Sequence, residues 1–344
     1  MNSLIAKLGR RALGGGRLSR LDLLGLAEAS RRCAHDLLYW ANKIRTGRFG
    51  NTVSFCSIVP GKIGNCSEDC KWCAQSAMCA APGQKPRRTP IAEIAAAARS
   101  ASQLGAACLG IVNSGRRPAK IDLDLVIQAV SAIKAQTGRA PAADLQVCAS
   151  LGELTEDQAR RLAEAGVGRY HHNLETSRGF FPKVVTTHAY DDRLATLAGA
   201  RRAGLSICCG GLFGLGETWA DRVELAITLR DEVRPDIVPL NFLHPIPGTP
   251  LEKAPPLAPI DILSIIALFR LAMPQVDIKI AGGRQKNIRD LQSWVFYAGA
   301  TSCIVGSYLT TSGRPPADDL QMVADLGLQV IKTLPAEPIA GKGD

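Results

Sequence analysis

Aromatic residues are scarce in this chain: only 5% of its 344 residues are Phe, Trp or Tyr. The basic residues are not interleaved with aromatic ones, as they would be on a platform that stacks nucleic-acid bases. No stretch of ~18 uninterrupted apolar residues occurs, so no membrane span is expected. A secretory signal is also lacking, which argues against a small disulfide-stapled secreted domain. We therefore expect neither a nucleic-acid partner nor a membrane partner.

Apolar and basic residues are plentiful. Hydrophobic residues make up 46% of the chain and charged residues 21%, which is the composition of a globular protein. The net charge is +10, and the basic residues are densest in 1–20 and 85–88. We interpret this excess as a solvated surface that attracts anions. Residues 1–20 contain no acid, as in organelle presequences, but a glycine run at 14–16 and the lack of a clean amphipathic pattern argue against one.

Cysteine is the unusual component, with eleven residues. In a chain of this size without a secretory signal, cysteines are expected to be reduced thiols or metal ligands. This expectation places the protein in the cytoplasm.

Short apolar runs alternate with longer amphipathic stretches from about residue 50 onward. The runs predict eight strands, near 53–59, 106–112, 145–150, 169–173, 205–212, 237–242, 276–281 and 302–305. The stretches between them predict helices, for example at 91–104, 123–135, 156–165 and 219–230. Eight strand–helix repeats predict an α/β fold of the (β/α)8 TIM-barrel type, with chemistry at the carboxyl ends of the strands. The predicted organisation is a helical extension over 1–49, with a helix at 21–43, a barrel over 50–335 and a C-terminal tail over 336–344.

Three cysteines stand close together after the first predicted strand, in the segment Cys66-Ser-Glu-Asp-Cys70-Lys-Trp-Cys73, which we call the cysteine loop. Three thiolates at the spacing C-x-x-x-C-x-x-C can bind three irons of a cubane cluster and leave the fourth iron without a protein ligand. The amine and carboxylate of an amino acid could chelate that open iron, and an all-thiolate set favours iron-sulfur over hard cations. Structural zinc is the alternative, and it needs a fourth ligand such as Cys79.

This spacing is the signature of the radical S-adenosylmethionine superfamily, which the sequence resembles. A second segment, Gly210-Gly-Leu-Phe-Gly214-Leu-Gly-Glu217, ends the fifth predicted strand, where the superfamily has a G-x-I-x-G-x-x-E segment against the adenine. Glycine permits close backbone approach to a flat ligand, and a tight turn before the next helix is the alternative. The resemblance implies that Gly210, Gly214 and Glu217 bind S-adenosylmethionine beside a 4Fe-4S cluster on the cysteine loop.

Five motifs narrow the resemblance to one family. They are Tyr170-His-His-Asn-Leu-Glu-Thr-Ser177, Val185-Thr-Thr187, the segment from Gly210 to Glu217, Pro247-Gly-Thr-Pro-Leu251 and Ala281-Gly-Gly-Arg284. Between about residues 53 and 328 the chain is similar to biotin synthases, which are homodimeric barrels that insert sulfur into dethiobiotin. The resemblance implies a homodimer, an electron donor such as flavodoxin or ferredoxin, and an auxiliary 2Fe-2S cluster inside the barrel as the sulfur source.

Cys108, Cys148 and Cys208 lie on the second, third and fifth predicted strands, and they match the family positions for the auxiliary cluster. Thiols on different strands of one barrel can converge on its axis. Taken singly, each would be interpreted as a small buried hydrophobe. The cysteines that match no ligand position are assigned to packing, namely Cys33, Cys209 and Cys303.

The fourth ligand of the auxiliary cluster is often an arginine in this family, and Lys279 stands at the matching place on the seventh strand. A lysine must lose its proton before it can ligate, and burial beside a cation is expected to lower its pKa in that direction. Cys56 on the first strand is a candidate substitute. We hypothesise that Cys56 joins or replaces Lys279, which would change the auxiliary cluster from the 2Fe-2S to a 4Fe-4S type.

The resemblance also implies roles for polar residues. Asn173 and Glu175 would hydrogen-bond the ribose of S-adenosylmethionine, and Arg193 would hold its carboxylate. Family members often have aspartate at the position of Glu175. Asn241 would contact the ureido ring of dethiobiotin, because an amide offers both a donor and an acceptor to a urea. His171, at a position that can be asparagine in the family, is assigned to substrate binding as well.

The implied function is that of a sulfurtransferase that converts dethiobiotin to biotin. Reductive cleavage of S-adenosylmethionine at the loop cluster would give a 5′-deoxyadenosyl radical, which would remove hydrogen from dethiobiotin, and the carbon radical would then take sulfur from the auxiliary cluster. Two alternatives are a related radical enzyme with another substrate, as in hydrogenase maturation or methylornithine formation, and a non-catalytic iron-sulfur or zinc protein. The three strand cysteines argue against the first. The second predicts that the reduced protein cleaves no S-adenosylmethionine.

Overall fold

The computed structural model describes residues 1–81, 85–137, 145–309 and 313–332. The tail predicted over 336–344 lies outside the described residues. No helix in the described part of the chain is both long enough and apolar enough to cross a bilayer.

Eight parallel strand positions close into a barrel. The strands are, in chain order, β1 (Thr52–Ile63), β2 (Arg87–Arg88), β3 (Cys108–Asn113), β4 (Gln146–Ser150), β5 (Arg169–His171), β6 (Ser206–Cys208), β7 (Gly211–Phe213), β8 (Ile237–Phe242), β9 (Asp277–Ile280), β10 (Ser302–Ile304) and β11 (Gln329–Val330). Hydrogen bonds join them in the order β1-β3-β4-β5-β6-β8-β9-β10, and β10 pairs with β1 to close the ring. Because β6 and β7 both pair with β8, they are two parts of one barrel strand. The predicted barrel is confirmed.

Helices connect the strands and cover the barrel. They are α1 (Ser3–Leu13), α2 (Arg20–Phe49), α3 (Ile91–Gln103), α4 (Lys120–Thr137), α5 (Glu156–Ala165), α6 (Tyr190–Arg202), α7 (Trp219–Thr228), α8 (Pro259–Ala272), α9 (Arg284–Ile288), α10 (Trp294–Tyr297) and α11 (Pro316–Asp325). The ends of α5 illustrate why the chain turns where it does. Thr155 and Gln158 form a capping box at its start, and Gly166 ends it with φ +100°, a left-handed conformation that favours glycine.

The first two helices lie against the barrel, because α1 packs on α2 and α2 packs on α8. The expectation that residues 1–20 lack a clean amphipathic pattern is wrong. Ile5, Leu8 and Ala12 are buried along one face of α1. Gly9 lies on that face too, and a Cβ there would stand 2.3 Å from the ring of Trp40. The buried apolar residues recur at helical spacing, and the glycine run at 14–16 follows the last residue of the helix, Leu13.

Candidate active site

Four cysteine side chains meet inside the barrel. Cys56 of β1 is in register with Cys108 of β3, and their Sγ atoms lie 2.9 Å apart. The Sγ atoms of Cys108 and Cys148 lie 3.0 Å apart. Both separations exceed the ~2.05 Å of a disulfide bond, and all of these thiols are free. We call Cys56, Cys108, Cys148 and Cys208 the strand cysteines.

Two cations contact this sulfur set. Nζ of Lys279 lies 3.2 Å from Sγ of Cys56 and 3.8 Å from Sγ of Cys208. Nη1 of Arg169 lies 3.8 Å from Sγ of Cys148. Burial alone would lower the pKa of Lys279, but the nearby sulfur atoms, led by Cys208, raise it well above its ordinary value. The sequence-based expectation of a lowered pKa considered burial and a neighbouring cation, and it left out the sulfur atoms, which act in the opposite direction and outweigh burial.

The strand cysteines line one part of a cavity of about 340 Å³, which we call the inner cavity. Its wall also includes Lys279 and the polar side chains of Asn241 and His171. The remaining wall is largely apolar, for example at Ile58 and Leu212. This combination, an apolar chamber with a few polar groups, is typical of small-molecule sites.

Asn241 is held in place by backbone atoms at the end of β8. Its Oδ1 accepts from Gly282 N at 2.8 Å, and its Nδ2 donates to Gly211 O at 3.2 Å. An amide oxygen has two lone pairs and an amide nitrogen has two hydrogens. One hydrogen-bonding position therefore remains at each end of the Asn241 side chain.

His171 lies between the strand cysteines and the outer part of the site. Its Nδ1 is 3.3 Å from Sγ of Cys208. Burial, with smaller effects of Lys279 and Arg193, lowers the pKa of His171 to about 3. The imidazole is therefore neutral at pH 7.

The cysteine loop follows β1 and folds back on itself. The N–H of Cys66 donates to Gln75 O at 2.9 Å, and Cys66 O accepts from the N–H of Ala77 at 2.8 Å. The N–H of Cys73 donates to Cys70 O at 3.0 Å. Burial raises the pKa of Cys73 to about 11. These bonds fix the backbone that carries the three thiols.

The three thiols of the cysteine loop line a second cavity of about 250 Å³, the outer cavity. Arg193 and His188 line it as well. Trp72, Asn173 and Glu175 belong to the walls of both the outer and the inner cavity. The loop thiols and the strand cysteines therefore face two adjoining chambers.

A chain of polar contacts connects the cysteine loop with Arg193 of α6. Nδ1 of His188 lies 2.6 Å from Oε2 of Glu68, which stands between Cys66 and Cys70 in the sequence. Nε2 of His188 lies 2.8 Å from Nη2 of Arg193. Arg193 also donates from Nη1 to Asn173 O at 2.7 Å. Glu68 and His188 were not predicted from the sequence as site residues, because their spacing in the chain does not indicate that they are in contact.

Glu175 has a conformation that is unusual for its residue type. Its φ is +69°, in the left-handed region. Its carboxylate lies 3.8 Å from Nη1 of Arg193 and 3.4 Å from Nδ2 of Asn173. Burial raises the pKa of Glu175, although Arg193 and Asn173 oppose the shift. Backbone strain of this kind is concentrated at functional sites.

The segment from Gly210 to Glu217 reaches the inner cavity through Leu212. The described lining of the two cavities includes neither Gly210, Gly214 nor Glu217. A Cβ at Gly210 would lie 1.9 Å from Pro239 O, so this glycine lets two strands approach closely. The Glu217 carboxylate accepts from Gly214 N at 3.1 Å and also pairs with Arg222 at 2.8 Å. The hydrogen bonds of the Glu217 carboxylate therefore stabilise the loop that carries it.

The arrangement of the loop thiols bears on the zinc alternative. In the part of the chain that the structure describes, neither the loop thiols nor any other group of three His, Cys, Asp or Glu side chains has the arrangement that holds a single metal ion. Sγ of Cys79 instead contacts the carbonyl oxygens of Cys73 and Ser76 at 3.6 and 3.4 Å. A cubane cluster presents several irons at separate corners, so its thiolates need not meet at one point.

The remaining cysteines are placed away from the chambers. Cys209 and Cys303 are fully buried in the main hydrophobic core. Cys33 is partly buried against that core, at a residue of α2 with non-helical dihedral angles. These positions agree with the packing role expected from the sequence.

Comparison with known proteins identifies the family. The model of the radical SAM superfamily matches residues 62–229, and that of the Biotin and Thiamin Synthesis associated domain matches residues 239–329. The chain is 49% identical over 323 residues to the biotin synthase of Trichlorobacter lovleyi, covering 94% of this chain and 95% of that protein. It is 45% identical to the biotin synthase of Geotalea daltonii, covering 96% of this chain and 98% of that protein. The chain belongs to the biotin synthase family.

Solved structures share the fold at much lower identity. The FeFe-hydrogenase maturase HydG superposes with a TM-score of 0.82 at 16% identity, over 96% of this chain and 76% of that one. Methylornithine synthase superposes with a TM-score of 0.80 at 20% identity, over 94% of this chain and 97% of that one. At these identities the likeness concerns the barrel alone.

Membership in the biotin synthase family makes the chain an enzyme, a radical S-adenosylmethionine sulfurtransferase. S-adenosylmethionine and an iron-sulfur cluster are accordingly its cofactors. The residues present fit such a cluster, because the cysteine loop offers three free thiols on one wall of a cavity.

Arg169 is a residue beside the strand cysteines that was not predicted from the sequence. The available signal was a charged residue two positions before His171, hence on the same face of a short strand.

Proposed function

We propose that this member of the biotin synthase family forms biotin by inserting sulfur into dethiobiotin. The observation that carries the proposal is the pair of adjoining cavities, one lined by the cysteine loop and the other by the strand cysteines. A substrate held where their walls meet, near Asn173 and Trp72, would have the radical source on one side and the sulfur source on the other. When bound, the loop cluster and S-adenosylmethionine supply the radical chemistry and an auxiliary cluster supplies the sulfur.

In the outer cavity, Cys66, Cys70 and Cys73 would hold the 4Fe-4S cluster. Arg193 would bind the carboxylate of S-adenosylmethionine through charge-assisted hydrogen bonds. Its contacts with Asn173 O and with His188 support this role, since they fix the guanidinium at the cavity wall.

The ribose would be bound by Asn173 and Glu175, whose side chains lie 3.4 Å apart. Oδ1 of Asn173 accepts from Gly210 N at 3.1 Å, so its amide is oriented before any ligand binds. The segment from Gly210 through Gly214 to Glu217 would meet the adenine through its backbone. The Glu217 carboxylate stabilises that backbone by accepting hydrogen bonds from the N–H groups of Gly214 and Leu215.

In the inner cavity, Asn241 would bind the ureido group of dethiobiotin through the two hydrogen-bonding positions that its backbone partners leave free. His171 would contact the same substrate from the side of Cys208 as a neutral imidazole. The apolar wall would exclude water from the reacting carbon atoms.

The auxiliary cluster would be held by Cys108, Cys148 and Cys208, and we infer that Cys56 joins or replaces Lys279 as its fourth ligand. The position of the Cys56 sulfur, 2.9 Å from that of Cys108, supports this inference. Four thiolates are the ligand set of 4Fe-4S as well as of 2Fe-2S centres, so we propose that Cys56 lets the auxiliary centre be of the 4Fe-4S type.

The ligand role of Cys56 is tested by Mössbauer spectroscopy of the loaded Cys56→Ala variant. Its auxiliary signal should change, whereas the signal of Cys303→Ala should not, because Cys303 is a buried packing residue on the neighbouring strand. An unaltered auxiliary signal in Cys56→Ala would show that Cys56 is not a ligand.

Three further features belong to the proposal. The enzyme would act as a cytoplasmic homodimer, and an electron donor such as flavodoxin or ferredoxin would reduce the loop cluster. Its organisation would be a helical extension over 1–49 and a catalytic barrel over 50–335.

The experiment that tests the function is anaerobic incubation of the loaded protein with S-adenosylmethionine, a reductant and dethiobiotin, followed by mass spectrometry. Biotin and 5′-deoxyadenosine are both expected. Deoxyadenosine without biotin would keep the radical chemistry and exclude the proposed substrate.

A further inference from the structure

Arg169 places a guanidinium beside the strand cysteines. It is the first residue of β5, in register with Cys148 of β4. Its Nη1 lies 3.8 Å from Sγ of Cys148. Its Nε is shielded from solvent and has no hydrogen-bond partner among the described residues. The side chain therefore points into the barrel, where its Nε–H is available as a hydrogen-bond donor.

Neither cation at the sulfur set is balanced by a carboxylate. Within the described chain, the side chains of Arg169 and Lys279 donate to cysteine sulfur atoms and form no ion pair with a carboxylate. Asp277 lies on the same strand as Lys279, but its Oδ1 accepts from the hydroxyls of Thr301 and Ser302 at 2.5 and 2.9 Å. The strand cysteines are the groups that face both cations.

Arg169 is half-buried and Lys279 is buried, and a cation that is even partly withdrawn from water is costly unless an anion compensates it. An arginine cannot avoid that cost by losing its proton. Here the available partners are sulfur atoms, which carry negative charge when they ligate iron. The surroundings of Arg169 thus fit an anionic centre held by the strand cysteines.

We propose that Arg169 is a positioning residue of the auxiliary cluster: it donates to the Cys148 sulfur and balances part of the charge of the centre without ligating iron. This inference rests on the proposed function, because it assumes a cluster on the strand cysteines. A hydrogen bond to a ligating sulfur and a nearby positive charge both favour the reduced state. Arg169 should therefore raise the reduction potential of the auxiliary cluster and help to retain it.

The test uses the full-length Cys66→Ser/Cys70→Ser/Cys73→Ser protein as the parent, so that iron is bound by the strand cysteines alone. In this parent, Arg169→Met removes charge and donors, Arg169→Gln keeps a donor without charge, and Arg169→Lys keeps the charge. Arg161→Met is the matched control, because Nη2 of Arg161 pairs with the Asp124 carboxylate at 2.7 Å outside the sulfur set.

Iron and sulfide content, the reduction potential and the rate of iron loss to a chelator are measured after anaerobic reconstitution. Arg169→Met should shift the potential to a more negative value and lower cluster retention about 10- to 100-fold. Arg169→Lys should recover most of the potential, and Arg161→Met should match the parent. If Arg169→Met fails to fold, the same difference is expected between Arg169→Gln and Arg169→Lys.

The outcomes separate the inference from the function on which it rests. If Arg169→Met and Arg169→Gln retain the cluster at the reduction potential of the parent, the role of Arg169 is overturned, but the auxiliary cluster itself is not. A parent that takes up neither iron nor sulfide would overturn the auxiliary cluster itself, and the role of Arg169 with it.

Discussion

Nδ1 of His188 lies 2.6 Å from Oε2 of Glu68, although the two residues are 120 positions apart in the chain. Glu68 belongs to the cysteine loop, and the opposite nitrogen of His188 contacts Arg193. This one imidazole therefore connects the proposed cluster loop with the arginine that we assign to the carboxylate of S-adenosylmethionine.

Replacing His188 should weaken binding of S-adenosylmethionine. In His188→Leu, Arg193 loses the partner of both its Nε and its Nη2. A hydrogen bond to a charged group contributes about 1.5–3 kcal/mol, so the Kd should rise about 10- to 100-fold. Calorimetric titration of the loaded protein measures this. His35→Leu, on α2 against Trp294, is the control and should bind as tightly as the unaltered protein. Equal affinities in the two variants would contradict the role given to His188.

The stabilisation provided by Asp122 should depend on pH. Its carboxylate accepts from Arg88 Nε at 2.6 Å and from Lys62 Nζ at 3.0 Å. Burial alone would raise the pKa of Asp122, but these two bonds hold it below the ordinary 3.8. The stabilisation is therefore complete above pH 3.8 and is lost as the pH falls through the lower, folded-state pKa.

Asp122→Asn should accordingly lower the stability at pH 7 by about 1–2 kcal/mol, a figure reduced for the partial exposure of the two cations. Thermal unfolding followed by circular dichroism should show the difference shrinking below pH 3.8. A difference of constant size across that range would mean that the charge of Asp122 contributes nothing.

Gly210 should not tolerate a side chain. A Cβ there would stand 1.9 Å from Pro239 O, a backbone atom of the neighbouring strand. Gly210→Ala should cost about 1–3 kcal/mol of stability because the strands must separate. Gly179→Ala is the matched control, since its Cβ would meet nothing within 4 Å, and it should stay within about 0.5 kcal/mol. Equal unfolding midpoints for the two variants would contradict the close approach.

The ion pair between Arg284 and Asp319 should be strongly coupled. Nη2 and Oδ2 lie 2.5 Å apart, with side-chain exposures of 1% and 0%. Asp319→Leu should cost about 3–5 kcal/mol, because it leaves a buried guanidinium without an anion. The double variant Arg284→Met/Asp319→Leu should cost less than the sum of the two single changes. Additive losses in unfolding experiments would show that the pair is not coupled.

Much of the barrel could be predicted from the sequence because its signals are local. The eight apolar runs alternate with longer amphipathic stretches, and each run became a barrel strand. The cysteine loop is equally local, since its three thiols fall within eight residues. The amphipathic pattern of helix α1 is local as well, and the glycine run at 14–16, which the sequence-based interpretation held against it, begins at the residue that ends the helix.

The rest of the site depends on contacts that spacing does not encode. The contact of His188 with Glu68 exists only once α6 lies beside the cysteine loop. The proximity of Arg169 to Cys148 follows from the register of their two strands, which the sequence alone does not show. For Lys279 the general effect of burial suggested a lowered pKa, but the sulfur atoms around it reverse the direction. In each case the partner, and not the residue type, decided the chemistry.

The central claim is that the sulfur inserted into dethiobiotin comes from a centre on the strand cysteines. The most direct test is to reconstitute the protein anaerobically with isotopically heavy sulfide, remove the excess, and follow the mass of the biotin formed from unlabelled dethiobiotin. We predict heavy biotin in the first turnover, and a loss of biotin but not of 5′-deoxyadenosine in Cys108→Ala. Biotin of ordinary mass, or unchanged biotin formation in Cys108→Ala, would contradict the account.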